Sequence, residues 1–103
     1  MADFNHFLAD KDLSREQLLR LIDKARDIKA RPRSYAQALS GKSIVMLFEK
    51  PSLRTRVTFD IGINKLGGHA VYLDQQNGAL GVRESVRDFG ANISQWADGI
   101  VAR

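Results

Sequence analysis

The sequence predicts an α/β fold, a parallel sheet flanked by helices and built from β-α-β units, on three observations. Ile44-Val45-Met46-Leu47-Phe48 is apolar without polar alternation, the pattern of a strand covered on both faces. Two more short strand-like runs follow, His69 to Leu73 and Gly99 to Ala102, separated by segments of helical length and periodicity. Strands and helices in that alternation form parallel units joined by right-handed crossovers.

Each element has its own signal. Ser14-Arg15-Glu16-Gln17 is a capping box that starts a first helix. Leu13 and Leu18 form the matching hydrophobic staple, and Leu18, Leu21, Ile22, Ala25 and Ile28 continue one apolar face until Pro32 ends the segment. Arg31 to Lys42 is a connector within a single domain, with a short helical turn around Tyr35 to Leu39. The first strand stops at Pro51. Ser52 then caps a second helix running through Leu66, ended by Gly67-Gly68, residues able to take the left-handed conformation of a C-cap. After the second strand comes a polar loop, Asp74 to Gly81. A third helix follows, capped by Ser85, with Val86, Phe89, Ile93 and Trp96 on one face as core rather than as a base-stacking platform.

With 103 residues, 44% hydrophobic and 27% charged, the chain reads as one soluble globular domain spanning 1–103. That length leaves little room for a complete fold together with a two-substrate cleft, so part of something larger is expected. No apolar run is long enough to span a bilayer, and Met1 to Asn5 lack the features of a signal peptide, which predicts a cytoplasmic protein without a membrane partner. There is no cysteine, and His6 and His69 lie far apart, so neither a metal nor another cofactor is expected. The formal net charge of +4 favours anionic partners.

The chemistry concentrates in Glu49-Lys50-Pro51-Ser52-Leu53-Arg54-Thr55-Arg56, where a buried strand turns into a helix. The first N–H groups of a helix have no internal partner, and its dipole adds partial positive charge, so this position suits a phosphate. Ser52 and Thr55 supply hydroxyl donors and Arg54 a planar cation that grips two oxygens. There is no Gly-rich P-loop, which argues against a nucleoside triphosphate. Ser-x-x-Thr is also an ordinary capping pattern. Two arginines in a first turn without an acidic residue oppose the dipole and tip the reading towards an anion.

Phe48 to Phe59 resembles the Ser-x-Arg-Thr-Arg signature of the aspartate and ornithine carbamoyltransferases, in its ornithine-type form. His6-Phe7-Leu8, Leu66 to Ala70, Gly81 to Asp88 and Asp98 to Arg103 are similar to that family in order and spacing, so the resemblance covers essentially the whole chain. It implies a partial carbamoyl-phosphate-binding domain in which Ser52, Leu53 through its N–H, Arg54 and Thr55 hold the phosphate of carbamoyl phosphate, with Arg54 also stabilising charge as the reaction proceeds. Arg103, ending the third strand, matches a family arginine that contacts the same substrate. The implied reaction moves the carbamoyl group to the side-chain amine of ornithine, giving citrulline and phosphate in arginine biosynthesis. Aspartate or an acylated ornithine are the alternative acceptors.

The same resemblance implies a homotrimer or multiple of trimers, with carbamoyl phosphate and an amino acid as partners. It further implies that the amino-acid-binding domain and a His-Pro-x-Gln segment lie beyond Arg103, so that the chain alone does not turn over. Arg83 falls where the family carries a basic residue near the substrate or a neighbouring subunit, and a solvated loop charge beside Glu84 is its other reading. Arg56 points away from Arg54 on the helix, towards an internal ion pair or the substrate. Leu53 replaces a frequent threonine and Ala79 a frequent polar residue. The rival from another class is a small nucleic-acid-binding module using Arg54, Arg56, Arg83 and Arg87. These arginines alternate with acids instead of forming a stripe, so no nucleic-acid partner is expected.

Overall fold

The computed structural model describes residues 6–49, 52–73 and 85–103. Pro51, the loop from Asp74 to Gly81, Ala79, Arg83 and Glu84 lie outside the described residues. The described residues fall into two compact units, one ending at Tyr35 and the other starting at Ala36, so the division lies inside the connector.

The first unit is built around α1 (Arg15–Ala30). Its capping box forms as the sequence requires: the Ser14 hydroxyl accepts from Gln17 N–H at 3.1 Å, and the Gln17 side chain accepts from Ser14 N–H at 2.8 Å. The expected apolar face is not a core, because α1 has no buried residue, and Leu18 and Ile22 are 47% and 42% exposed. A single helix with two short 3-10 turns supplies no second layer for that stripe to face within the unit. The helical turn in the connector comes earlier than expected, at Pro32–Tyr35, because proline fits the first position of a helical turn. Tyr35 then returns to α1: its hydroxyl donates to Asp27, which also accepts from the Arg31 guanidinium, and Lys24 lies over the Tyr35 ring.

The second unit holds the sheet. Its elements are β1 (Ser43–Leu47), α2 (Leu53–Lys65), β2 (His69–Leu73), α3 (Val86–Trp96) and β3 (Gly99–Ala102). The strands are parallel in the order β2-β1-β3, with Val45 opposite Val71 on one side and Ile100 on the other. A central place explains why the first strand lacks polar alternation. Met46 is fully buried and packs with Phe48 and Ile63, while Val45, on the opposite face by strand alternation, is buried too. Phe48 meets both Phe59 and Tyr72 edge to face.

The helix ends follow their signals with two differences. Gly67 takes φ +87° and its N–H donates to Asn64 O, while Gly68 N–H donates to Ile63 O, a Schellman motif that stops α2. Ser85 caps α3, accepting from Asp88 N–H at 3.0 Å. Ser52 occupies the N-cap position of α2, yet its side chain makes no bond to the helix backbone. Trp96, expected in the core, is 72% exposed, because it closes the last turn of α3 where Phe89 and Ile93 alone are half-buried along the visible stripe.

Strand order places the end of β1 beside the end of β3. The chain leaves β1 through α2 to β2, then returns past β1 to β3, so the direction of winding reverses at β1. Between two strands at such a reversal, the carboxyl ends open a crevice for a ligand. The backbone ladder runs on past both strands: Arg103 N–H donates to Leu47 O at 3.0 Å, and Glu49 N–H donates to Arg103 O at 2.7 Å.

Candidate functional site

The mouth of α2 stands at that crevice. The first helical bond runs from Arg56 N–H to Ser52 O at 2.9 Å, so the N–H groups of Leu53, Arg54 and Thr55 precede the ladder and need another partner. A serine at the N-cap commonly takes one of them. Here the Ser52 hydroxyl instead donates to Thr55 Oγ1 at 3.0 Å and accepts from Arg103 Nη1 at 3.1 Å. Arg103 Nη1 also donates to Thr55 Oγ1 at 2.6 Å. One guanidinium nitrogen thus ties two hydroxyls on α2 to the end of β3, across 51 and 48 residues of sequence.

The charge balance at the mouth is positive. The first turn of α2 has no acidic residue, and Arg54 is exposed there. Arg54 takes part in no ion pair among the described residues, where Arg31 pairs with Asp27 and Lys42 with Asp98. Leu53 is 77% exposed, so it adds nothing to the core and offers the site its N–H. The Thr58 hydroxyl donates to Arg54 O at 2.7 Å, which closes the first turn from within the helix and leaves the amides at the mouth untouched. Together these are donors and cations of the kind that hold a phosphoryl group.

Of the residues singled out from sequence, Ser52, Leu53, Arg54, Thr55 and Arg103 come together at this one mouth. Arg56 takes part in no ion pair among the described residues. Its guanidinium lies over the Tyr72 ring, 3.9 Å from the centroid, a contact with no sequence signal because it joins α2 to β2 across their packing. His69 opens β2 at the amino edge of the sheet, the end opposite the crevice. The described residues contain no group of three or more His, Cys, Asp or Glu able to hold a metal ion. None of the described helices is long and apolar enough to cross a membrane.

The model of the carbamoyl-P binding domain of aspartate/ornithine carbamoyltransferases matches residues 5–103. The chain belongs to the aspartate/ornithine carbamoyltransferase family. Among curated members of that family, the ornithine carbamoyltransferase of Shewanella oneidensis is 70% identical over 98 residues, covering 95% of this chain and 33% of the relative. That of Thermus thermophilus is 48% identical over 88 residues, covering 85% of this chain and 29% of the relative. The crystal structure of anabolic ornithine carbamoyltransferase from Campylobacter jejuni matches with a TM-score of 0.88 at 35% identity, over 97% of this chain and 32% of that one. Acetylornithine transcarbamylase complexed with acetylcitrulline matches with a TM-score of 0.85 at 31% identity, over 97% of this chain and 33% of that one. The chain therefore spans about a third of the length of the carbamoyltransferases it resembles.

Proposed function

We propose that this chain supplies the phosphate-holding part of a cytoplasmic, trimeric ornithine carbamoyltransferase of arginine biosynthesis. In that reaction the neutral side-chain amine of ornithine attacks the carbonyl carbon of carbamoyl phosphate. A C–N bond forms, the bond from that carbon to the bridging oxygen breaks, phosphate leaves with the electron pair, and the nitrogen gives up a proton. Negative charge grows on the departing phosphate, so cations and amides already in place favour the transition state over the ground state. The amides of Leu53, Arg54 and Thr55, the hydroxyls of Ser52 and Thr55, and the guanidinium of Arg103 form the cradle. Arg54 is the catalytic residue, bound to the phosphoryl oxygens as their charge develops. The amine-binding end belongs to the part of the relatives' length that this chain does not span.

The observation that carries this reading is the meeting of Arg103 with Ser52 and Thr55 at the α2 mouth, where two strand ends converge. Identity favours ornithine as acceptor: 70% with the Shewanella oneidensis ornithine enzyme against 31% with the acetylornithine enzyme. The test joins this chain to the remaining length of the Shewanella oneidensis relative and compares it with its Arg54→Ala variant. Citrulline formation is expected to fall by roughly 10²–10³-fold, the scale of removing one preorganised donor to developing charge. Phosphate should also cease to compete with carbamoyl phosphate. Unchanged rate and competition in the variant would refute the proposal.

A further inference from the structure

Arg54 and Arg56 stand on different sides of α2. Two residues apart on a helix is about 200° around its axis, so the side that carries Arg54 at the mouth is not the side that carries Arg56. The Arg56 guanidinium lies 3.9 Å from the centroid of the Tyr72 ring. Tyr72 is half-buried in β2 and stands edge to face with Phe48, ring centroids 6.0 Å apart. Phe48 in turn meets Phe59, on α2 like Arg56, at 6.4 Å. The four side chains close a circuit from α2 to β2, from β2 to the end of β1, and from there back to α2. Phe48 is 2% exposed, so the circuit is anchored in the core.

That circuit supplies what the start of the helix lacks. The Ser52 side chain makes no bond to the helix backbone, so no cap of that kind holds the opening turn of α2. On one side the turn is tied to β3, where Arg103 Nη1 reaches Ser52 Oγ and Thr55 Oγ1. A helix start tied at one side can swing about it. Arg56 adds a tie to β2, the strand on the other side of β1. With one tie to each outer strand, the bearing of the mouth is fixed, and with it the place of Arg54. The kind of partner matters as well. A ring face attracts a guanidinium through its quadrupole and carries no net charge, so the mouth stays positive, whereas a carboxylate in that place would repel an incoming phosphate. We infer that Arg56, through Tyr72, is a positioning residue that holds the mouth of α2, and Arg54 with it, over the strand ends while bringing no negative charge to the site. This rests on the phosphate site proposed above, of which neither Arg56 nor Tyr72 is a part.

The test uses the same full-length chimera and reads the inhibition constant of inorganic phosphate against carbamoyl phosphate, kcat, and KM for ornithine. Arg56→Gln and Tyr72→Leu should each weaken phosphate inhibition and lower kcat by roughly 5–50-fold, short of the hundredfold that a misplacement of about 1 Å costs. The double variant should lie within about threefold of the worse single, because both substitutions break one tie. Tyr72→Phe keeps the ring face and should restore both readings. KM for ornithine should stay unchanged throughout, because the tie bears on the phosphate end alone.

A role confined to stability would move the urea midpoint and leave phosphate inhibition and kcat of the folded enzyme at their parental values. That result would overturn the inference and leave the phosphate site standing. Losses that multiply in the double variant would overturn it as well, since Arg56 would then act without Tyr72. Arg54→Ala separates the two readings: if it too left phosphate inhibition unchanged, the site itself would be wrong, and the inference would fall with it. Should Tyr72→Leu not fold, Tyr72→Met removes the ring and closes the same cycle.

Discussion

Replacing Gly67 by alanine tests how α2 is stopped. Gly67 has φ +87°, and a Cβ built there meets the main-chain oxygen of Ala36 at 2.6 Å. Gly41 provides the control, with φ +76° and nothing within 4 Å of its Cβ. A left-handed residue other than glycine costs roughly 1–2 kcal/mol, and that penalty applies at both positions. Only Gly67→Ala adds the close contact, and its partner is a backbone atom that has no rotamer to swing away. Relief would displace the connector that Leu39 N–H ties to Leu66 O at 2.8 Å. Adding about 1–3 kcal/mol for overpacking brings Gly67→Ala to roughly 2–5 kcal/mol, against about 1–2 for Gly41→Ala. Urea unfolding followed by circular dichroism, with slopes compared to detect changes in the unfolded state, reads the difference directly. Losses equal to within about 0.5 kcal/mol would refute the reasoning from the Ala36 contact.

Four further outcomes follow from the packing and the charges. Met46→Ala, at a fully buried position in the central strand, should destabilise by about 2–5 kcal/mol in the same assay. Trp96→Ala, at a residue 72% exposed, should change stability by less than about 1 kcal/mol. The hydrogen bond from Tyr35, then that from Arg31, hold the Asp27 carboxyl below its ordinary value. A depressed carboxyl stabilises the folded form above its unfolded pKa of about 3.9 and loses that contribution as pH falls through the lower folded value. Acid titration of the Tyr35 ring signal should therefore show the α1 contact released below about pH 4, and Asp27→Asn should abolish that step. Crossing Arg56→Gln with Tyr72→Leu should give a coupling of about 0.5–1 kcal/mol, the scale of an exposed cation–π pair, whereas Tyr72→Phe should retain it.

Much of this molecule was readable from local pattern. The Ser14 box, the Gly67-Gly68 stop, the Ser85 cap and all three strands depend on neighbours a few residues away, and they formed where the pattern put them. What depends on distant partners was not readable. Ser52 carries a capping signal, but a guanidinium 51 residues later draws its hydroxyl away from the helix amides. Arg56 lacks any local hint of the Tyr72 ring, and the order β2-β1-β3 is a property of pairing that no single segment contains. The stripe on α1 and the position of Trp96 show the reverse error, since helical periodicity records a face suited to burial whether or not a partner layer is present.

The two main-chain bonds that clamp residue 103 between Leu47 and Glu49 separate mount from tool. Nothing in that clamp involves the side chain, so an exchanged head group at this station would start from the same main-chain position. A substitution there changes the tie to Ser52 and Thr55 while the main-chain ladder at the strand ends stays intact.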